Sequence, residues 1–288
     1  LSSVPASGFR TDGMEKESAP DRPLVSIIMA VLDCVEHLQE TIDSVAGQTY
    51  DNIELIVIDG GSTDGTLALL ERNSSRIDRW SSEADRGIAD AWNKGLRLAR
   101  GEWIGHLGGD DWYEPSAIEG LLELARGDPE VDVVCGRNVV WHEGRRVRIS
   151  DPEPAMLRWT MSVDHPACLV RRRAGTEELA YRTDYRWAMD YDLFLRLWRA
   201  GARFGTTRHH VANMRYGGTS FSNRWRALAE EHRARVHRLG IPRILAPLHF
   251  ARHMAAGLVG RILYGFAPRR LVASLLGRRA SSCTGRPR

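Results

Sequence analysis

Cysteine is scarce in this chain, and long apolar runs are missing. The four cysteines lie far apart and form no C-x-x-C pair, which argues against a disulfide framework and against a structural zinc site. This cysteine usage is typical of a reducing compartment, so we expect a cytoplasmic protein. No run of about 18 uncharged apolar residues occurs, and therefore no segment qualifies as a membrane span. The 288 residues, 43% of them hydrophobic, suffice for one large domain or two unequal ones.

Acidic residues are missing from the last part of the chain. Residues 240–288 contain nine arginines and no aspartate or glutamate, and because the whole chain carries +3, the first 239 residues carry −6. An acidic body does not favour nucleic-acid binding. The basic segment is apolar over Ile244–Phe266, which predicts amphipathic helices lying on an anionic membrane surface. Packing of these helices against the acidic body is the alternative.

Apolar runs alternate with helical periodicity from residue 24 to residue 107. Leu24–Val31 is an apolar run interrupted only by Ser26, typical of a strand buried on both faces, and Ile53–Ile58 is predicted to be a second buried strand. A short third strand is expected near Ile77–Trp80, and a fourth over Glu102–Leu107. A helical pattern follows each run, and this order predicts an α/β fold with a mostly parallel sheet flanked by helices. Residues 1–23, rich in serine, proline and charge, are expected to form a disordered leader.

The pattern changes after residue 115. Val131–Val140 and Arg145–Ile149 are predicted to form an antiparallel pair, and His165–Val170 a strand. Helices are expected over Asp190–Trp198 and Phe221–Leu239.

Two of the predicted strands end in carboxylates. Asp59 and Asp64 follow the second strand, and Asp110 and Asp111 follow the fourth. In an open parallel sheet, ligands bind at these carboxyl ends. Asp64 is equally well explained as a helix cap. The adjacent Asp110 and Asp111 repel each other unless a cation lies between them, which predicts a hard divalent ion.

A helix start lies between those two loops, in the segment SEADRGIADAWNKG. Its free N–H groups and the guanidinium of Arg86 predict a diphosphate site. An isolated arginine would more simply be a solvated surface charge, but here acids and a glycine flank it.

These motifs resemble a known family. QTYDNIELIVIDGGSTDGT and SEADRGIADAWNKGLRLARGEWIGHLGGDD are similar to consecutive motifs of the family-2 glycosyltransferases, whose fold is called GT-A. The resemblance is closest to the branch that makes bacterial polysaccharides. It covers residues 24–115, which it identifies as a nucleotide-sugar-binding half.

The resemblance implies roles for individual residues. Asp59 is similar to the aspartate that binds the nucleotide base, and Asp85 and Arg86 match positions lining the base and the diphosphate. Asp110 and Asp111 match the acidic motif that holds the ribose and the metal, which implies Mg²⁺ or Mn²⁺ as the cofactor.

The chain departs from the family pattern at three positions of this donor site. Ala30 and Asp33, at the end of the first strand, stand where the family often has proline and asparagine. Gly108 stands where many members carry a further aspartate. The last departure leaves open which of Asp110 and Asp111 ligates the metal.

The segment WAMDYDLFLRL resembles the family motif that supplies the catalytic base, within an acceptor-side half over residues 116–239. Asp190 takes the position of the base, and Asp192 is the second choice. Asp190 as a mere helix cap is the alternative. His165-Pro166 and the run RYGGTS at 215–220 resemble acceptor-side or phosphate-side segments. Candidates for a sugar-stacking platform are Trp141, Trp159, Trp187 and Trp225.

The resemblance therefore implies an inverting transfer from a nucleoside-diphosphate sugar to a glycan or lipid-linked acceptor. We expect a role in cell-surface polysaccharide or glycolipid synthesis, at the inner face of the cell membrane. Two alternatives are a nucleotidyltransferase and a non-catalytic nucleotide-sugar-binding protein. The first normally has a glycine-rich basic loop after the first strand, whereas Ala30–Glu36 contains no glycine, lysine or arginine. A nicotinamide-dependent oxidoreductase lacks support for the same reason.

Overall fold

The computed structural model of the chain describes residues 6–9, 17, 19, 22–172, 179–217, 223–245, 248 and 251. The strands are β1 (Ala6–Phe9), β2 (Val25–Val31), β3 (Ile53–Asp59), β4 (Arg79–Ser82), β5 (Trp103–Gly108), β6 (Trp112–Tyr113), β7 (Val133–His142), β8 (Arg145–Ser150), β9 (Cys168–Arg171) and β10 (Phe204–Arg215). The α-helices are α1 (Val35–Ala46), α2 (Thr66–Arg72), α3 (Ile88–Leu98), α4 (Ala117–Gly127), α5 (Met189–Arg199) and α6 (Arg224–Leu239). Short 3₁₀ turns occur at Pro154–Met156, His165–Ala167 and Arg243–Leu245.

All ten strands belong to one sheet, in the order β1-β4-β3-β2-β5-β9-β7-β10-β6, with β8 paired to β7. The strands β4, β3, β2 and β5 are parallel, as predicted for residues 24–107. The later chain adds β9 antiparallel to both β5 and β7, and it adds β10 parallel to β7. The strands β2, β3, β5, β7 and β10 therefore end at the same edge of the sheet.

Strand β2 shows why its apolar run is nearly continuous. Val25, Ile27 and Met29 pack on one face of the sheet with helices α1 and α4, while Ile28 and Ala30 pack on the other face with α3 and α5. Because successive side chains point to opposite faces, a strand covered by helices on both sides needs apolar residues on both faces, and the one polar side chain of β2, Ser26, is buried.

A buried carboxylate joins the central strands at the other edge of the sheet, away from the carboxyl ends of β2, β3 and β5. Glu54 of β3 is inaccessible to solvent, and its Oε1 accepts hydrogen bonds from Ser26 Oγ at 2.5 Å and from the Arg100 backbone N–H at 2.6 Å. The Nε of Arg100 donates to Oε2 at 3.2 Å, and the backbone N–H of Gly101 donates to Oε1. The charge of Glu54 is thus fully compensated inside the protein.

The strands expected over Leu24–Val31 and Ile53–Ile58 agree with β2 and β3 within one residue at each end. One difference is β1, which lies inside the segment expected to be disordered. Ala6–Phe9 pairs antiparallel with β4, because β4 would otherwise be an unpaired edge strand.

One later prediction needs correction, and two elements were not predicted. The strand expected over His165–Val170 begins only at Cys168, because Pro166 has no N–H for a ladder and lies in a 3₁₀ turn. Strand β10 was not predicted, because its polar residues and two register irregularities hide the alternation of polar and apolar side chains. Helix α4 was not predicted either, although Ile118, Leu121 and Leu122 give it a buried face.

The chain divides after Gly240 into two compact units. The helices predicted over 244–266 lie outside the described residues, except for the end of the turn Arg243–Leu245 and for Leu248 and Ala251. None of the described helices is both long and apolar enough to cross a membrane.

Candidate functional site

The carboxyl ends of β3, β2 and β5 form one crevice. In the sheet register, Val31 of β2 lies beside Asp59 of β3, and Ala30 lies beside Gly108 of β5. Because neighbouring strands are about 4.8 Å apart, the ends of β3 and β5 face each other across about 10 Å. The two acidic loops predicted from the sequence are therefore brought to the two sides of the same crevice.

Asp59 supports the loop on the β3 side. It is fully buried, and its Oδ2 accepts hydrogen bonds from the backbone N–H groups of Gly61 and Ser62 at 3.1 and 3.0 Å and from Ser82 Oγ at 2.6 Å. The hydroxyl of Ser62 also donates to Oδ1. All these partners are protein groups, so a nucleotide base that bound Asp59 would have to displace one of them.

Asp33 and Asp64 join this loop to the end of β2. The backbone N–H of Thr63 donates to Asp33 Oδ1 at 2.8 Å, and Asp33 has a left-handed backbone with φ of +47°. Asp64 accepts from the N–H of Val35 at 3.0 Å and from the N–H of Thr66 at 2.9 Å. Asp64 therefore binds the first N–H groups of both α1 and α2, which is the capping role considered from the sequence.

Asp85 and Arg86 lie before helix α3 on the same side of the crevice. The N–H of Gly87 donates to Asp85 Oδ1 at 2.7 Å, and a Cβ at Gly60 would lie 2.6 Å from Asp85 Oδ2. The carboxylate of Asp85 is thus seated against the backbone at the end of β3. The side chain of Arg86 is 81% exposed, and among the residues that the structure describes it is held only by Asp90, at 3.3 Å, so it can turn toward a ligand.

Asp110 and Asp111 form the other side of the crevice. Asp111 is 6% exposed, and Asp110 is half-buried. A Cβ at Gly108 would lie 3.0 Å from Asp111 Oδ2 and 3.1 Å from Asp110 Oδ1, so both carboxylates border the space that Gly108 leaves open. Burial, and then the charge of Asp110, raise the pKa of Asp111 well above its ordinary range.

This pair fits a divalent cation. Its donors are hard carboxylate oxygens that border one open space, and a positive charge there would relieve the cost of ionising Asp111. No group of three or more metal-ligating side chains occurs among the residues that the structure describes. A metal at this edge would therefore take its remaining ligands from substrate and water, as Mg²⁺ commonly does beside phosphates.

Arg215 completes this side of the crevice, and the sequence analysis gave it no separate role. Its backbone N–H donates to Asp111 Oδ1 at 3.1 Å, and its guanidinium donates to the carbonyl oxygen of Asp110 and to Glu40. The guanidinium carbon lies 4.5 Å from the centre of the Trp112 ring. The run RYGGTS contains the only sequence signal for Arg215, and residues 218–220 of that run lie outside the described part of the chain.

Asp190 lies in the first turn of α5. Its Oδ1 accepts the N–H of Tyr191 at 2.7 Å, and burial raises its pKa to about 6, with the charges of Asp164 and Glu230 adding to the effect. Asp164 precedes His165, whose ring stacks at 4.6 Å on His106 of β5, two residues before Gly108. The charge of Asp190 also acts on Tyr181, whose hydroxyl lies 3.2 Å from Nε2 of His106.

Another acid binds the segment that leads into helix α5. The carboxylate of Glu230, from α6, accepts hydrogen bonds from the backbone N–H groups of Arg186, Trp187 and Ala188 at 2.8–3.0 Å. These three residues precede the helix, whereas the N–H of Tyr191 in its first turn is bound by Asp190 itself. Asp190 therefore caps its own helix, and one carboxylate can combine capping with catalysis.

Asp192, the second choice for the base, lies in a different environment. It is fully buried, and its two oxygens accept hydrogen bonds from Arg196 at 3.0 Å and from Arg238 at 2.9 Å. Both oxygens of this carboxylate are thus occupied by arginine side chains, whereas no ion pair of Asp190 occurs in the described part of the chain.

His165 is part of a buried aromatic cluster with His106, Tyr181 and Trp92. The hydroxyl of Tyr181 lies 2.7 Å from His165 Nε2, and the His165 and Trp92 ring centres are 4.6 Å apart. Burial lowers the pKa of His165 to about 3 and that of His106 well below its ordinary range, so both rings are neutral.

The sequence profile described as Glycosyl transferase family 2 matches residues 26–198, more than half of the chain. The chondroitin synthase of Escherichia coli is 30% identical over 206 residues, which make up 69% of this chain and 30% of that protein. The chain therefore spans under a third of the length of this curated relative.

Solved structures share the fold. The mannosyltransferase PcManGT from Pyrobaculum calidifontis, in complex with GDP-Man and Mn²⁺, superposes with a TM-score of 0.61 at 19% identity, over 94% of this chain and 84% of that one. S. aureus TarS 1-349, in complex with UDP-GlcNAc, superposes with a TM-score of 0.59 at 16% identity, over 84% of this chain and 73% of that one. These likenesses confirm the predicted GT-A-type α/β fold.

Proposed function

The chain belongs to glycosyl transferase family 2, and we propose that it transfers a sugar from a nucleoside-diphosphate sugar to a hydroxyl of a glycan or lipid-linked acceptor. We further propose that the transfer inverts the anomeric carbon and serves the synthesis of a cell-surface polysaccharide or glycolipid. One observation carries the proposal. The carboxylate pair borders an open space at the end of β5, and burial raises the pKa of a separate acid, Asp190, to about 6.

The β3 side of the crevice suits the nucleotide. Asp59 holds the loop at Gly61 and Ser62 in place, and we infer that this loop and Asp85 surround the base. Ala30 and Asp33 close the same side at the end of β2. The exposed guanidinium of Arg86, at the start of α3, has the charge and the freedom to bind a diphosphate.

The β5 side suits the metal and the reacting end of the donor. Asp110 and Asp111 would hold Mg²⁺ or Mn²⁺, which when bound would neutralise charge on the departing diphosphate. Arg215 keeps both residues in place through their backbone and side-chain oxygens.

Asp190 is the proposed base. As the acceptor oxygen bonds to the anomeric carbon, the hydroxyl proton passes to the Asp190 carboxylate, and the bond from that carbon to the diphosphate oxygen breaks with its electron pair. A carboxylate with a pKa near 6 is ionised at neutral pH and still basic enough to take this proton. A single displacement of this kind inverts the carbon and leaves no sugar bound to the enzyme.

Release of nucleoside diphosphate tests the proposal. The full chain is incubated with UDP-, GDP- and dTDP-sugars, with Mg²⁺ or Mn²⁺, and with mixed oligosaccharide acceptors. Metal-dependent release that is lost in Asp111→Asn, but not in the surface control Asp43→Asn, would support a glycosyltransferase. Release of pyrophosphate from a nucleoside triphosphate and a sugar phosphate would identify a nucleotidyltransferase instead. Donor binding without turnover of any donor would identify a binding protein.

The membrane contact of residues 240–288 stays a proposal drawn from charge alone. Nine arginines without one acid would bind anionic headgroups, each contributing about 1 kcal/mol near the surface. Co-sedimentation with phosphatidylglycerol vesicles compares the full chain with one that ends at Leu239. We expect only the full chain to pellet and the binding to weaken with salt. Equal pelleting of both chains would contradict the proposal.

A further inference from the structure

A row of arginine and tryptophan side chains crosses the sheet edge beside the carboxylate pair. Arg146 of β8 pairs in register with Trp141 of β7, and Trp141 pairs with Arg215 of β10. Arg215 in turn lies over Trp112 of β6, and the rings of Trp112 and Trp141 are 6.1 Å apart. We call these four residues the arginine–tryptophan row. Residues that pair across strands share one face of the sheet, so the row is continuous on that face.

The row ends at the proposed transfer site. Arg215 binds Asp110 and Asp111, whereas Arg146 lies two strands farther out, at about 10 Å from Arg215. A glycan chain whose terminal hydroxyl reaches the carboxylate pair can therefore extend along the row toward β8.

The outer end of the row is positively charged. The hairpin formed by β7 and β8 carries Arg137 and Arg148, which are paired with Asp151 at 2.7 Å and with Asp164 at 3.3 Å. Arg145 and Arg146, by contrast, are exposed and form no ion pair with any carboxylate in the described ranges.

The positive charge of this hairpin is opposite in sign to the net charge of residues 1–239. The first 239 residues carry a net charge of −6, so an anionic ligand would be repelled from most of this surface and attracted to Arg145 and Arg146. Guanidinium groups bind carboxylates and phosphates through paired hydrogen bonds, and an indole presents a flat apolar face beside a polar N–H. The Nε1 of Trp141 donates to Asn213 at 2.7 Å, which fixes the plane of its ring.

We propose that the arginine–tryptophan row is the acceptor subsite and that it takes an acidic glycan. A sugar ring rests on Trp141, and an acid group of the glycan binds Arg146, which shares that face of the sheet, while Arg145 adds to the local positive charge. This inference rests on the proposed transfer reaction, because it names the acceptor class for the same site.

Binding of defined oligosaccharides to the full chain tests the inference. The probes are an oligosaccharide of alternating uronic acid and N-acetylhexosamine, its neutral counterpart with the carboxyl groups reduced to alcohols, and a glycerol-phosphate oligomer. The variants are Arg145→Ser with Arg146→Ser, and as a matched control Arg72→Ser with Arg199→Ser. The control removes two exposed arginines from the last turns of α2 and α5.

We expect the wild-type chain to bind an acidic probe about tenfold or more tightly than the neutral one, with the advantage falling as salt rises. The preference should disappear in the Arg145/Arg146 variant and persist in the control. A preference for the glycerol-phosphate oligomer would identify phosphate as the acid group, and a preference for the uronic-acid probe would identify carboxylate. Trp141→Ala should weaken the binding of the acidic and neutral sugars alike.

Equal affinity for acidic and neutral probes, or equal loss in the control, would overturn the inference. Binding to phosphatidylglycerol vesicles that requires Arg145 and Arg146, without binding of any glycan, would overturn it in favour of a membrane contact. Nucleoside diphosphate release from the donor alone is measured on the same samples. If the wild-type chain turns over no donor, the proposed function fails, while the oligosaccharide result still decides the acceptor subsite.

Discussion

Replacing Asp190 by asparagine should separate catalysis from stability. The variant lacks the proposed proton acceptor, and we expect turnover to fall by about 10²–10⁴-fold, the usual contribution of a general base. Donor affinity should hardly change, because Asp190 is assigned to the acceptor side. With a pKa of about 6, the wild-type base is protonated at low pH, so turnover should rise through pH 6 and level off. At pH 7 about nine tenths of the base is ionised.

The same pKa fixes the sign of the stability effect. The carboxyl group titrates near 6 in the folded chain, against an ordinary value of 3.8, so folding disfavours its ionised form. The folded chain therefore loses stability as the pH rises from below 3.8 to above 6, by about 3 kcal/mol at most. Asparagine carries no charge, and the variant should be at least as resistant to urea as the wild type at pH 7. The difference should vanish near pH 4.

Asp192→Asn provides the matched control, two residues away on the same helix. Asp192 is held by Arg196 and Arg238, and removing its charge leaves two buried or half-buried cations without a partner. We expect a loss of about 3–5 kcal/mol in the free energy of unfolding, and little change in turnover per folded molecule. Urea titrations at pH 4 and pH 7, with initial rates of diphosphate release from pH 5 to pH 8, measure both quantities. If Asp190→Asn keeps full turnover with a rise still centred at pH 6, the base is another residue.

Three further substitutions test the carboxylate pair and the sheet. Asp111→Asn should abolish transfer and weaken Mn²⁺ binding, since several kcal/mol of transition-state stabilisation depend on that charge, and its circular dichroism spectrum should stay unchanged. Full activity of this variant in EDTA would remove the metal from the mechanism. Gly108→Ala should displace both carboxylates and weaken metal binding, because its Cβ would lie 3.0–3.1 Å from their oxygens. The control Gly127→Ala has open space around its Cβ and should leave the metal titration unchanged. Equal activity of the two variants would show that the metal site does not use the space at Gly108. Glu54→Ala removes a buried charge that compensates Arg100 and two further donors. It should therefore lower the free energy of unfolding, measured in urea, by about 3–5 kcal/mol, and it should leave the metal affinity of the folded fraction unchanged.

The sequence carried enough information to predict the first half of the fold because each element there has a local signal. Leu24–Val31 is apolar apart from Ser26, and it becomes a strand covered on both faces. Parallel strands end at a common edge, so the order of elements also predicted that Asp59 and Asp110 would face one crevice. Those positions follow from periodicity and connection rules that act over fewer than about 30 residues.

Contacts between distant residues could not be predicted in this way. Arg215 reaches Asp111 across 104 positions and Glu40 across 175, and it stands at the end of β10, whose alternation is broken by two irregularities. For Asp59, the position could be predicted from the sequence, but its surroundings could not. Its place at the strand end was predictable, but its burial under four donors depends on Ser82 of a neighbouring strand.

The assignment of the base shows what local pattern and tertiary structure each contribute. Asp190 and Asp192 are two positions apart, and at about 100° per residue their side chains leave helix α5 in nearly opposite directions. Only one of them can face the crevice, but the sequence does not say which, because both are acids in a first helical turn. The structure separates them through their partners: Arg196 and Arg238 bind the two oxygens of Asp192, whereas Asp190 accepts the backbone N–H of Tyr191. Without an ion pair in the described part of the chain, Asp190 keeps a carboxylate whose pKa is raised by burial, and a base for neutral pH needs this property.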